Sequence, residues 1–201
     1  MNLNDYKLVF LSVFLVLMLF AASPTLSMMI SWPAGERFTE LWILGSGHMA
    51  EDYPFNVKEN VSYSVFLGIS NHIGEFEYYV AYVKLRSQTE FLPNSTAAMP
   101  SPLKPLYEYR VFLSDGEVRE KNVTFSFSGV QFAGNVCRVS YCWVDGFSFL
   151  VNKTAAWDAV NKGYYFQVFF ELWRYNATAS AFEYHNRFVS LWLNMTSSAW
   201  T

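Results

Sequence analysis

Two hydrophobic patterns divide this chain. From Leu8 to Ile30 apolar residues follow one another with no charged side chain among them. A helix of that length, at ~1.5 Å per residue, reaches roughly 34 Å, enough to cross the ~30 Å hydrocarbon core of a bilayer. After it the apolar runs become short and alternate with polar residues. Val61 to Ser70 is the clearest case: Val61, Tyr63, Val65, Leu67 and Ile69 fall on one face, with Ser62, Ser64, Gly68 and Ser70 on the other. A period of two is the mark of a half-buried strand.

Read the same way, strands are expected at Arg37–Leu44, Glu75–Leu85, Tyr107–Leu113, Glu117–Phe127, Cys137–Trp143, Tyr164–Tyr175 and Phe188–Asn194. Tyr164–Tyr175 is apolar on both faces apart from Gln167, Glu171 and Arg174, which reads as a central strand. Asp115-Gly116 and Asp145-Gly146 carry hairpin chemistry. The Pro-rich stretch Leu92–Pro105 reads as a crossover loop within one domain. Asn152–Lys162 is the one expected helix after the apolar run: Asn152 or Thr154 caps it, three alanines favour it and Gly163 stops it. Short strands at regular spacing predict a mainly β domain, an antiparallel sandwich.

The resulting division is a cytoplasmic N-terminus over 1–7, a membrane span or signal peptide over 8–30, and a juxtamembrane linker over 31–36. An extracytoplasmic β-sandwich over 37–196 and a tail over 197–201 follow. Lys7 just before the run suits either a cleaved signal or an anchor with its N-terminus inside. Ala21-Ala22-Ser23 and Thr25-Leu26-Ser27 offer cleavage patterns, neither a clean A-x-A. The run continues past Pro24 to Trp32, which favours an uncleaved anchor held by residues 8–30 in the lipid bilayer.

Composition narrows the class. Aromatic residues make up 19% of the chain and charged ones only 15%, so rings must be buried in quantity or displayed to a partner. A net charge of -3 argues against nucleic acid, which calls for a basic stripe. Asparagine adds the sharpest signal. N-x-S/T sequons begin at Asn60, Asn94, Asn122, Asn152, Asn176 and Asn194, all after the apolar run. Such acceptors belong on the surface of an exported domain carrying N-linked glycans. Their one-sided placement puts residues beyond Trp32 outside the cell membrane.

Cys137 and Cys142 lack redox or zinc spacing. Five residues of straight strand hold two Cα atoms beyond the ~7 Å reach of a disulfide, so pairing needs a turn between them. A small disulfide loop is the expectation for an exported domain, and two buried free thiols are the alternative. His48, His72 and His185 fall in separate segments and form no close ligand pair. Gly45-Ser46-Gly47 precedes no helix and so forms no phosphate cradle. Glu51-Asp52, Asp115, Glu117 and Asp145 match no calcium loop, and no G-x-S-x-G nucleophile motif exists. Trp143, Trp157, Trp173 and Trp192, with Tyr164 and Tyr175, form either a stacking platform for sugars or core.

Several blocks resemble a known family. Phe38-Thr39-Glu40-Leu41-Trp42-Ile43-Leu44-Gly45, Ala50-Glu51-Asp52-Tyr53-Pro54 and Gly68-Ile69-Ser70-Asn71-His72, followed by Phe170-Glu171-Leu172-Trp173 and Phe188-Val189-Ser190-Leu191-Trp192-Leu193-Asn194-Met195-Thr196, are similar to an uncharacterised archaeal membrane-protein family, domain of unknown function 1616. The resemblance implies an archaeal surface protein with an immunoglobulin-like β fold outside a membrane anchor. Longer members carry several membrane helices before the domain, of which only the last has a counterpart here, and the cysteine pair is not part of the family pattern. The family has no established activity, so no functional residue is carried over. The expectation is a non-enzymatic, single-pass, glycosylated surface domain without cofactor or metal, serving a protein partner in the membrane or envelope. A glycan-binding module is the alternative, and an envelope hydrolase a distant third.

Overall fold

The computed structural model describes residues 6–7, 9–18, 20 and 36–197. The chain divides into two units, residues 1–37 and residues 38–201. In the first, the described residues 6–7, 9–18 and 20 are helical. Among the described residues no helix is long and apolar enough to cross a membrane. The span expected at 8–30 lies in part outside the described residues, as do positions 31–35 of the linker and 198–201 of the tail.

The second unit is built from ten strands: β1 (Phe38–Leu44), β2 (Asn56–Lys58), β3 (Tyr63–His72), β4 (Glu77–Ser87), β5 (Tyr107–Leu113), β6 (Val118–Ala133), β7 (Val136–Val144), β8 (Phe147–Asp158), β9 (Gly163–Asn176) and β10 (Ala181–Thr196). Hydrogen bonding runs β1-β3-β6-β7-β8-β9-β10-β2, with β4 on β9 and β5 on β4. Strands β8 and β9 pair only at Trp157↔Tyr164 and Asp158↔Gly163. That narrow joint separates one half, β1-β3-β6-β7-β8, from another, β2-β10-β9-β4-β5. The domain is mainly β, as the alternation requires. The sheet is nevertheless mixed, because β2 runs parallel to β10, and this corrects the expectation of a wholly antiparallel arrangement.

Both halves turn their alternate residues into one core. Val65, Leu67 and Ile69 of β3 and Val123, Phe125 and Phe127 of β6 meet Tyr79, Ala81 and Val83 of β4 and Phe166, Val168, Phe170 and Leu172 of β9. Burying such side chains is worth ~1.5–3 kcal/mol each, which holds the two halves together. At the start of β1, the Thr39 hydroxyl lies 3.0 Å from the Tyr79 hydroxyl and 3.0 Å from His185 Nε2. These contacts tie the beginning of β1 to β4 and β10.

Three local expectations are corrected. Residues 152–158 are strand, not helix. Phe149, Val151 and Ala155 all meet the core, and this inward period of two, paired along β7, overrides the helix preference of the alanines. Asp158 then closes a turn: its Oδ1 accepts from the amides of Val160 and Asn161 at 2.9 and 3.0 Å. Asp115-Gly116 does form a turn, with Glu117 N donating to Ser114 O at 3.0 Å. It joins β5 to β6, which do not pair: β5 lies on β4, and β6 lies on β3 and β7. Asp145-Gly146 behaves as expected. Its positive φ values of 46° and 83° make the tight turn between β7 and β8.

The third correction concerns the cysteines. Cys137 and Cys142 lie on the same strand, with no turn between them, and both are free and buried. An odd separation should send them to opposite faces. The inward phase shifts by one residue where Ser140 meets Gly129. Phe127 and Val130 of β6 both meet the core, as do Val139 and Cys142 of β7. Gly129 has φ +66°, and a Cβ there would stand 2.8 Å from the Ser140 Cβ. Burial pushes both thiols up to about 12.

Candidate interaction surface

The outward face of β4, β9 and β10 is the chemically distinctive part of the domain, and it has two zones. Over the upper zone the segment between β4 and β5 folds back as a cover. This corrects its reading as a crossover, since β4 and β5 are neighbours in one half. Beneath it Lys84 and Glu171 are 3% and 0% exposed. Lys84 Nζ donates to Glu171 Oε2 at 2.7 Å and to Ser101 O at 3.0 Å. Glu171 also accepts from Ser101 N at 2.8 Å and from Trp173 Nε1 at 3.2 Å.

A second pair lies beside the first. Arg86 Nε donates to Gln167 Oε1 at 2.7 Å, Gln167 Nε2 donates to Ser190 Oγ at 2.7 Å, and Arg86 Nη1 donates to the Glu90 carbonyl. Glu90 in turn pairs with Lys153. This explains why a central strand carries Gln167 and Glu171: Glu171 meets the cover at Ser101, and Gln167 meets Arg86 and Ser190 on the flanking strands. Among the described residues only the Tyr184 hydroxyl is buried without a hydrogen-bond partner. Burial first, and then the Glu171 charge, pushes it up to about 12. Apart from the Tyr184 hydroxyl, the polar groups beneath the cover satisfy one another, so they fasten a loop to a sheet.

The lower zone has no such cover from the loop's ion pairs. Here register places Phe112 of β5 opposite Tyr78 of β4 and Phe182 of β10 opposite Tyr175 of β9. Since Tyr79 faces Arg174, Tyr78 and Tyr175 are neighbours too, and the four rings form one row across four strands. Ring centroids are 3.9 Å apart for Tyr78 and Phe112, 6.0 Å for Tyr78 and Tyr175, and 5.3 Å for Tyr175 and Phe182. Phe76 stacks at the end of the row, 5.6 Å from Phe112, and the Arg110 guanidinium sits 5.2 Å over Phe182. Phe76, Phe112 and Tyr175 are 62%, 54% and 36% exposed. The row lies at the end of the domain where β1 begins, because Phe38 faces His72 at the end of β3 and Glu77 opens β4.

The six aromatic residues singled out by sequence are not brought together. Tyr175 belongs to the row, and Trp173 lies behind it, bonded to Glu171. Trp143 is on the other half, donating to Ser128 Oγ at 3.0 Å. Trp157 and Tyr164 meet edge-on at the β8–β9 joint, 5.1 Å apart, and Trp192 lies under Arg86 at 5.1 Å. Phe76, Tyr78, Phe112 and Phe182 were missed. Their i, i+2 spacing in Phe76-Tyr78 was legible, but the cross-strand register that aligns the others was not.

The sequons separate into two kinds. Asn60, Asn94, Asn122 and Asn152 are exposed. Asn176 and Asn194 are half-buried, and their Nδ2 groups are already engaged, donating to Glu183 Oε1 at 3.0 Å and to Asn56 Oδ1 at 2.9 Å.

The histidines stay apart. His48 Nδ1 lies 3.0 Å from Glu120 Oε2, and His72 stacks on Phe38 at 4.7 Å. His185 is half-buried, and desolvation, then the charges of Arg174 and Arg187, lower it to about 4. Among the described residues no three His, Cys, Asp or Glu side chains converge as a metal site. Burial alone would raise the Asp145 carboxyl. Bonds from Thr124 N and the Tyr109 hydroxyl, with the Lys121 charge, hold it below the usual range instead. A cleft of about 420 Å³ is lined by Phe55, Gln88, Asp158, Asn161, Tyr165 and Trp192. Its one carboxylate is taken up by the amides of Val160 and Asn161 and by Asn161 Nδ2.

Comparison with known families gives one match: a family described as a domain of unknown function (DUF1616) matches residues 33–142. No curated protein matches the chain.

Proposed function

For this chain, which belongs to the DUF1616 family, we propose the role of a membrane-tethered, N-glycosylated domain on the outer side of an archaeal cell membrane, serving as an interaction module for an envelope or membrane partner. The observation that carries the proposal is the distribution of sequons. Four asparagines with exposed side chains, Asn60, Asn94, Asn122 and Asn152, follow an apolar run without charge. The run supplies the tether and sets the N-terminus inside. The two halves sharing one core support an immunoglobulin-like reading of the domain. The proposal assigns no catalytic step, and the ion pairs under the β4–β5 segment serve structure.

Glycopeptide mapping of the chain from its native membrane tests this reading. Glycan on Asn60, Asn94, Asn122 and Asn152, with Asn176 and Asn194 bare, is the expected result. Six unmodified asparagines would overturn it.

A second reading, a sugar-binding module, is favoured by one feature: the cleft between Phe55, Tyr165 and Trp192, with Gln88 and Asn161 at its rim. The aromatic row favours it less, because Phe112 and Tyr78 turn ring faces toward each other rather than outward. Calorimetry against an oligosaccharide panel separates the readings. Saturable binding abolished by Trp192→Ala supports the second.

A further inference from the structure

We propose that the row Phe112–Tyr78–Tyr175–Phe182, with Phe76 and Arg110, is a bilayer-docking face: it lays the lower end of the domain into the headgroup region of the membrane in which the chain is tethered. The inference rests on the tether in the reading above.

Three observations point to lipid. The first is reach. Residues 31–37 separate the end of the apolar run from β1, and seven residues at ~3.3–3.6 Å each span at most about 25 Å. Thr39, bonded to Tyr79 and His185, fixes the start of β1 beside the strands that carry the row. The row is therefore on the end of the domain to which the linker is joined.

The second is chemistry. Tyrosine and phenylalanine beside one arginine, Arg110, which lies over Phe182 and pairs with Glu108 at 2.8 Å, is the make-up of an interfacial belt, in which amphipathic rings sit at headgroup depth. Phe38, exposed and stacked on His72, adds a ring at the same end.

The third is where glycans are admitted. Asn94 lies on the covering segment, and Asn60, Asn122 and Asn152 lie in the other half or the turn leading to it. The one sequon beside the row, Asn176, has its Nδ2 bonded to Glu183. The face is thus kept free of the bulk that would lift it off a membrane.

The test uses the full chain in phosphatidylcholine nanodiscs, with a nitroxide at Phe76→Cys or Phe112→Cys and, as control, at Leu150→Cys, an exposed apolar site in the other half. All three positions are exposed, so the changes spare the core. Cys137 and Cys142 are buried with thiols raised to about 12, and so they compete poorly for the label. Collision rates with oxygen and with a water-soluble nickel chelate are compared. The expected result is a several-fold higher oxygen-to-nickel ratio at 76 and 112 than at 150. Equal ratios, in a chain that co-purifies with the discs, overturn the docking and leave the tether standing. Low rates with both reagents at 76 and 112 overturn it in favour of a second copy on the row. A chain that does not stay with the discs overturns the tether and the docking together.

Discussion

Replacing Lys84 with methionine probes what holds the β4–β5 segment against the sheet. The substitution keeps an unbranched side chain one atom shorter and removes its charge. It leaves Glu171, at 0% exposure, with the amide of Ser101 and the indole of Trp173 but no cation. Breaking a buried pair from one side costs about 3–5 kcal/mol, because an uncompensated charge stays in a low-dielectric site. With a urea m-value of ~2 kcal/mol/M, within the range for small domains, the midpoint should fall by about 2 M. Glu171→Leu should cost more, since it also orphans Ser101 N and Trp173 Nε1, each worth roughly 1–3 kcal/mol when buried and unpaired. The double variant Lys84→Met/Glu171→Leu should be less damaged than the sum of the two, with a coupling of about 2 kcal/mol. Tryptophan fluorescence during urea unfolding of the full chain in non-ionic micelles reads all four corners of the cycle. A Lys84→Met chain within about 1 kcal/mol of the parent, the behaviour of an exposed pair, would refute the fastening role.

Other outcomes follow from the same packing. His185 has its folded pKa lowered to about 4 against an unfolded value of ~6.5, so between those values the unfolded chain binds the extra proton; stability should fall on acidification through that window. His185→Gln should flatten the slope, and an unchanged slope in denaturant titrations would assign it elsewhere. The Asp145 carboxyl is held below its usual range, so its contribution should be present above the unfolded value of ~3.9 and be lost as pH falls through the lower folded value. The stability gap between parent and Asp145→Asn should therefore close in acid, and a gap independent of pH counts against the assignment. Gly68→Ala should cost roughly 1–3 kcal/mol by overpacking, because the new Cβ would stand 2.0 Å from the Trp42 ring; an unchanged midpoint would mean the indole swings away freely. Iodoacetamide should modify neither Cys137 nor Cys142 in the folded domain and both after denaturation, and a non-reduced mass two hydrogens short would instead reveal a disulfide.

What sequence could disclose here was what local chemistry determines. The alternation of Val61–Ser70 is inherited directly by β3, the apolar continuity of Tyr164–Tyr175 by the central β9, and Asp145-Gly146 by a two-residue turn. The failures are non-local. Asp115-Gly116 has turn chemistry of the same kind, yet its flanking strands go to different halves, which no dipeptide encodes. Ala155, Ala156 and Ala159 carry helix propensity, but pairing with β7 and the inward phase of Phe149, Val151 and Ala155 decide the matter. Glu171 interrupts the apolar run of Tyr164–Tyr175 with nothing nearby to name its partner, and the burial of Lys84 and Glu171 depends on a loop that returns from residue 101. The cysteines share a face only through the phase shift at Gly129 and Ser140. The aromatic row escaped for a related reason: its members come from four strands, and only register aligns them.

The central claim, a domain displayed outside a membrane that its N-terminus does not cross, is tested most directly by labelling intact cells with a membrane-impermeant amine reagent and mapping the modified lysines. Lys104, Lys121 and Lys162 are exposed on the domain, Lys7 precedes the apolar run, and Lys84 is buried. The account predicts modification of Lys104, Lys121 and Lys162 on intact cells, with Lys7 modified only after lysis and Lys84 in neither case. Domain lysines that react only after lysis would contradict it.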